Sequence, residues 1–115
     1  MIEDIANDFI TRYSSSNPLS KYDLYAEDCL SIESPENGLR EEVTGLEKIK
    51  QRSEKFYSEF PEIVGKTVSQ PLIGDSAFSV VITIEYLKDL EKKTLKELCI
   101  FTVRNGKIVQ QEFIY

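Results

Sequence analysis

Histidine is absent from all 115 residues. That removes the commonest general base near neutral pH and the commonest metal ligand, so any catalytic chemistry must rest on other groups. Cysteine occurs twice, at Cys29 and Cys99. The start, Met1-Ile2-Glu3-Asp4, is acidic and has neither the basic opening nor the apolar stretch of a secretory signal. The two cysteines are therefore expected as reduced thiols in a cytoplasmic protein. No apolar run approaches the length of a membrane span. Basic residues are outnumbered, 14 Lys and Arg against 20 Asp and Glu, for a formal charge of −6. Nucleic acid and anionic membrane are poor partners for such a chain, because phosphate binding needs a positive surface. Internal repeats, low-complexity stretches, a phosphate-binding glycine loop and a calcium-loop pattern are also missing, so no cofactor and no metal site is implied.

What is present suits one globular domain: 41% hydrophobic and 30% charged residues in a chain long enough to fold without disulfides or metals. Ile2, Ile5, Ala6, Phe9, Ile10 and Tyr13 recur at helical spacing and predict an amphipathic helix over residues 2–14. Ser14-Ser15-Ser16-Asn17-Pro18 stops it, and a short helix is expected over 19–25. Residues 29–33 are expected as a short strand, followed by a loop through Ser34-Pro35-Glu36-Asn37-Gly38. Thr44 with Glu47 has capping-box spacing. It opens a second long helix whose inward stripe is Leu46, Ile49, Ser53, Phe56 and Phe60, ended by Pro61. Strands are expected over 64–73, 77–87, 94–104 and 107–114, the last two joined at Asn105-Gly106, a strong hairpin signal. Helices first and a strand meander after give an α+β class, with helices laid across one face of an antiparallel sheet.

Side chains alternate along a strand, so sheet faces sort by parity. Phe78, Val80, Ile82, Ile84 and Tyr86 fall on one face and should meet the helices. A two-residue loop at Asn105-Gly106 pairs Val103 with Ile108, Phe101 with Gln110, Cys99 with Glu112 and Glu97 with Ile114. These eight then share the concave face. On that register Glu97 and Glu112 are diagonal neighbours, roughly 6–8 Å apart. In an apolar cavity two such carboxylates cannot both ionise freely, which makes them candidates for a general acid and base. Glu33 ends its strand at the rim. Phe56, Phe60, Ile82, Ile84, Tyr86, Cys99, Phe101 and Gln110 either line a ligand pocket on this face or fill the core. Cys99, opposite a carboxylate, is a poor nucleophile. The other face collects Leu98, Ile100, Val109, Phe113 and Tyr115, an apolar surface suited to a homodimer contact.

Three stretches carry a family resemblance. The tail, Leu95-Lys96-Glu97-Leu98-Cys99-Ile100-Phe101-Thr102-Val103, then Asn105-Gly106-Lys107-Ile108-Val109 and Glu112-Phe113-Ile114-Tyr115, resembles the last hairpin of SnoaL-like proteins of the NTF2-like superfamily. Ser31-Ile32-Glu33 and Gly45-Leu46-Glu47-Lys48-Ile49-Lys50 are similar to earlier signatures of the same group. The resemblance implies a cone of strongly bent antiparallel sheet closed by about three helices around a pocket, commonly dimeric through the outer sheet face. It does not imply one activity, because the superfamily holds ketosteroid isomerases, polyketide cyclases, dehydratases and non-catalytic binding domains. Relatives often carry histidine after the long helix, where this chain has Phe60-Pro61-Glu62-Ile63-Val64-Gly65. Glu97 and Glu112 match positions where the group holds polar residues.

Three functions are consistent with these features. One is a small-molecule-binding domain with a mostly apolar pocket. Another is a lyase or isomerase of small carbonyl compounds, in which Glu97 or Glu112 moves a proton and Tyr86 or the second carboxyl steadies the enolate. The third is a protein-interaction domain using the outer sheet face.

Overall fold

The computed structural model describes residues 1–34 and 40–115. The loop expected after Ser34 therefore lies, from Pro35 to Gly38, outside the described residues. Helix α1 spans Ile2–Tyr13 and is followed by a 3₁₀ helix, Pro18–Leu24. Strands β1 (Tyr25–Ser34) and β2 (Glu41–Thr44) precede α2 (Leu46–Glu59). The rest is sheet: β3 (Glu62–Val68), β4 (Leu72–Ile73), β5 (Ala77–Lys88), β6 (Glu91–Arg104) and β7 (Lys107–Ile114). The strands form one curved, unclosed sheet in the order β2-β1-β7-β6-β5-β3, with β4 also on β5. All pairings are antiparallel except β1 with β7. Among the described residues, no helix is long and apolar enough to cross a membrane.

Helix α1 forms for the reason its spacing gives. Ala6, Phe9 and Tyr13 lie on one stripe and are buried, each large ring adding about 2–3 kcal/mol of apolar burial. The Phe9 ring lies 4.5 Å from Phe101 and 6.1 Å from Phe78, so the helix is keyed to β5 and β6. On β5, Phe78, Val80, Ile82 and Ile84 are buried, as parity requires, while Val81 is exposed. Across β6 they meet Phe101, Cys99, Glu97 and Leu95.

Four local expectations are corrected. Helix α2 is not capped by Thr44, which ends β2. Gly45 takes the N-cap position at φ +101, without a side-chain cap. Its N–H donates instead to the Cys29 carbonyl (2.9 Å), which ties the helix start to β1. The region expected as a five-residue strand is a ten-residue one, β1. Strand β2 was not anticipated. The segment expected as one strand over 64–73 is divided between β3 and β4.

The largest correction concerns β7. The turn is as expected: Asn105 (φ +53) and Gly106 (φ +75) are both left-handed, and Arg104 faces Lys107 and Val103 faces Ile108. The register then slips. Thr102 faces Gln110, Phe101 faces Gln111, Ile100 faces Glu112 and Cys99 faces Phe113. Val109 is thus the extra residue of a β-bulge, and every later side chain of β7 changes face. Gln110 and Glu112 lie on the outer side of the sheet, whereas Gln111, Phe113 and Tyr115 turn inward. The proposed outer apolar surface loses Phe113 and Tyr115 and keeps Leu98, Ile100 and Val109. Cys99 stands opposite Phe113, not Glu112.

Candidate functional site

Between α2, the 3₁₀ helix, the end of α1 and the concave sheet face lies a cavity of about 60 Å³. That is room for a few waters or for one end of an organic molecule. Its floor is set by the bulge. Gln111, now inward, accepts a hydrogen bond from the Tyr25 hydroxyl (2.5 Å) and donates to Ser31 Oγ (2.9 Å). All three residues are buried. The bridge joins β7 to β1 where their parallel ladder places Ser31 beside Gln111.

Glu97 is the one buried ionisable carboxylate among the described residues, at 7% exposure. It stands on β6 opposite Ile82, with Phe113 and Tyr115 brought beside it by the slipped register. Burial raises its pKa above the usual carboxylate range. The nearby Tyr115 hydroxyl pulls the other way, the Glu33 charge raises it further and the Lys21 charge lowers it. Burial likewise pushes the Tyr115 phenol up, helped by the nearby Glu97. Across the cavity the Tyr13 and Tyr57 hydroxyls lie 3.5 Å apart. Both phenols are raised, first by desolvation. The site can therefore offer a carboxyl group that stays protonated to higher pH than usual, ringed by neutral phenols. That is the inventory for donating to, or taking a proton from, an oxygen or an acidic carbon.

The expected carboxylate pair is replaced by another. Glu112 is on the far side of the sheet, so the carboxylate charge that reaches Glu97 comes from Glu33. Glu33 is itself engaged by the Arg52 guanidinium on α2 (3.0 Å), which also pairs with Glu41. Of the other expected residues, Ile82 and Phe56 line the cavity beside Glu33 and Glu97. Phe60 packs between Phe56 and Tyr86, ring centroids 5.1 and 4.9 Å away, and does not reach the cavity. Ile84, Cys99 and Phe101 are fully buried core. Burial, and then the Glu97 charge, raises the Cys99 thiol, and burial pushes Cys29 up to about 12, so neither is a ready nucleophile. Gln110 lies on the outer face with Glu112.

The sequence reading missed Tyr13, Lys21, Tyr22, Ser53, Tyr57 and Gln111, all of which line the cavity. One signal was available. Ser53 interrupts the apolar stripe of α2 and faces the cavity beside Tyr22. A polar residue in an inward stripe marks a place where the helix faces something other than core. Among the described residues, no group of three His, Cys, Asp or Glu side chains is arranged to hold a metal ion.

A family model for the SnoaL-like domain matches residues 4–115. No curated protein matches the chain. A candidate SnoaL-like polyketide cyclase from Mesorhizobium loti has TM-score 0.84 and 28% identity, over 100% of this chain and 99% of that one. A protein of ketosteroid-isomerase-like fold from Catenulispora acidiphila, solved with trimethylamine, has TM-score 0.73 and 13% identity, over 97% and 85%. TerC, co-crystallised with polyporic acid, has TM-score 0.72 and 17% identity, over 97% and 88%. The last two establish likeness of fold alone. With the family model covering nearly every residue, the chain belongs to the SnoaL-like domain family, on the NTF2-like fold.

Proposed function

We propose that this domain binds a small organic molecule in the Glu97 cavity, and that Glu97 addresses a carbonyl or enol oxygen of that ligand. The observation that carries this reading is a carboxyl group held at 7% exposure against an open, aromatic-walled space. A buried carboxyl is costly unless something uses or satisfies it, and here the Tyr115 hydroxyl and the Lys21 charge offset its burial only in part, since its pKa stays raised. The M. loti protein's description as a candidate polyketide cyclase, and the trimethylamine and polyporic acid complexes, support small organic ligands as the class.

A second reading adds catalysis. Glu97 would accept a proton from a carbon next to a carbonyl, and Tyr115 or Tyr57 would donate to the enolate oxygen. The raised pKa of Glu97 and the neutral phenols around it favour this over a purely passive pocket. Glu112 and Tyr86 have no place in it, one being on the far face and the other packed on Phe60.

The test is a thermal-shift titration with cyclohexane-1,3-dione and 2-tetralone on wild type and Glu97→Gln, run beside deuterium exchange of the 2-tetralone α-hydrogens. A ligand of the native state raises the melting temperature by mass action. Binding that weakens in Glu97→Gln supports the pocket, and exchange lost in that variant supports catalysis. Binding with unchanged affinity in Glu97→Gln would remove Glu97 from the reading.

A further inference from the structure

Beside the small cavity lies a larger groove of about 540 Å³ between the 3₁₀ helix, α2 and β3. The two share Tyr13, Lys21, Tyr22, Ser53 and Tyr57. They are therefore neighbouring inner and outer spaces that share one wall, with Tyr13 and Lys21 in it.

The charge of the outer part is opposite to that of the chain. In a protein of formal charge −6, this groove carries Lys21, Lys50 and Lys66 against Glu47 and Glu54. Two of the lysines converge on one ring: Lys21 Nζ lies 5.0 Å and Lys66 Nζ 4.1 Å from the centroid of Tyr13. Lys21 also stands 5.0 Å from the Tyr22 ring and 5.8 Å from Phe9. Neither Lys21 nor Lys66 has a carboxylate within 4 Å among the described residues, although Arg12, Arg40, Arg52, Lys92 and Lys93 all do. Desolvation, together with the charge of Lys66 and against the opposing influence of Cys99 and Glu97, brings the Lys21 amine down to about 8, and Lys66 is also lowered by desolvation. The ring faces offset part of the cost of bringing two like charges together, but leave the ammonium hydrogens without a strong acceptor.

We propose that Lys21 and Lys66 seat the anionic group of the ligand, so that the natural ligand is a carboxylate-bearing compound whose uncharged, carbonyl end reaches past Tyr13 and Tyr57 to Glu97. The proposal rests on the reading of the inner cavity for the position of that second end. It assigns to the outer groove a binding role that the carboxyl chemistry alone does not supply. It also reconciles the sizes: the inner space takes only one end of a ligand, and the groove has room for the remainder.

The probe pair is 4-acetylbenzoate and its neutral counterpart 4-acetylbenzamide, titrated calorimetrically into wild type, Lys66→Met, Lys21→Met and Glu97→Gln. Lys66 is exposed, so Lys66→Met should fold normally, and it serves as the main variant if Lys21→Met does not. The expected result is at least tenfold tighter binding of the benzoate to wild type. Most of that preference should be lost in Lys66→Met, with the benzamide affinity unchanged and the preference shrinking as salt is raised. Benzoate and benzamide binding equally, with Glu97→Gln weakening both, would overturn the anion seat while leaving the inner-cavity reading intact. A lysine-dependent preference for benzoate that ignores Glu97→Gln would keep the anion seat and overturn the inner reading. No binding of either compound at millimolar concentration, or a benzoate preference that survives both lysine variants, would overturn the proposal.

Discussion

The slipped register of β7 can be tested with one substitution at each of two neighbouring residues. Gln111 is 4% exposed and its amide satisfies Tyr25 and Ser31, themselves 4% and 5% exposed. Gln111→Met keeps the volume and removes both bonds. Each buried hydroxyl left without a partner costs about 1–3 kcal/mol. The extra apolar burial of Met offsets part of this, so the net loss should be about 2–4 kcal/mol. That is a large share of the roughly 10 kcal/mol expected of a domain this size. In urea the midpoint should fall by roughly 1–3 M with an unchanged slope. Glu112→Met, on the outer face opposite Ile100, should stay within about 0.5 kcal/mol of wild type. Tyr25→Phe and Gln111→Met should be coupled in a double-mutant cycle by about 1 kcal/mol or more. The straight register makes the opposite prediction, because it places Glu112 inside and Gln111 outside. A costly Glu112→Met beside a neutral Gln111→Met would refute the bulge and the site geometry built on it.

Glu97→Gln should change how stability depends on pH. The folded pKa of Glu97 lies above its unfolded value near 4.5, so the native state holds the proton more tightly. The stability this contributes is fully present below the unfolded pKa and is lost as pH rises through the folded one. The variant should therefore gain on wild type across that window, by about 1.4 kcal/mol for each tenfold difference in proton affinity. A parallel pair of pH profiles in urea melts would count against a buried Glu97. Leu90 sits in the β5–β6 turn at φ +67 with its side chain wholly exposed. Leu90→Gly should stabilise by about 0.5–1 kcal/mol, because the left-handed strain goes and no packing is lost. A destabilised Leu90→Gly by calorimetry would mean the turn has another conformation. Arg52→Met should cost only about 0.5–1 kcal/mol despite two carboxylate partners, since all three groups are partly solvated. The loss should shrink in 0.5 M NaCl, and a salt-independent loss above about 3 kcal/mol would show the pair to be effectively buried.

Local patterns were legible where a period ran unbroken. The stripe of α1, the parity of β5, the left-handed Asn105-Gly106 turn and the inward position of Glu97 all follow from spacing that one segment carries by itself. The bulge was not legible, because Ile108 and Val109 are both apolar and a straight hairpin also gives a plausible face. One unmarked residue then moved Gln110 and Glu112 outward and Gln111, Phe113 and Tyr115 inward. Strand β2 escaped notice because Glu41-Glu42-Val43-Thr44 is short, charged and exposed, as an edge strand that resists further pairing should be. Lys21 lies in a seven-residue 3₁₀ helix, where no long period marks an inward side. Its place beside Tyr13 and Tyr22 depends on how that helix packs.

The bulge also explains why the site has the composition it does. Without it, the inward row of β7 would be Gln110, Glu112 and Ile114, and two carboxyls would be diagonal neighbours on the concave face of the last hairpin. Like charge in a small apolar space is expensive, and with Arg52 already committed to Glu33 and Glu41, only the Lys21 charge among the cavity-lining cations would be left to relieve it. With the bulge, Glu97 meets Phe113 and the Tyr115 hydroxyl instead, and Gln111 is free to tie β7 to β1. One buried carboxyl, with the Tyr115 phenol beside it and the neutral Gln111 floor, then follows from one extra residue. The same slip removes two aromatic rings from the outer face and gives them to the cavity wall. Sequence changes that delete or move the bulge should therefore alter ligand preference and stability together, whereas changes confined to the outer side of β6, at Leu98 or Ile100, should leave the cavity as it is.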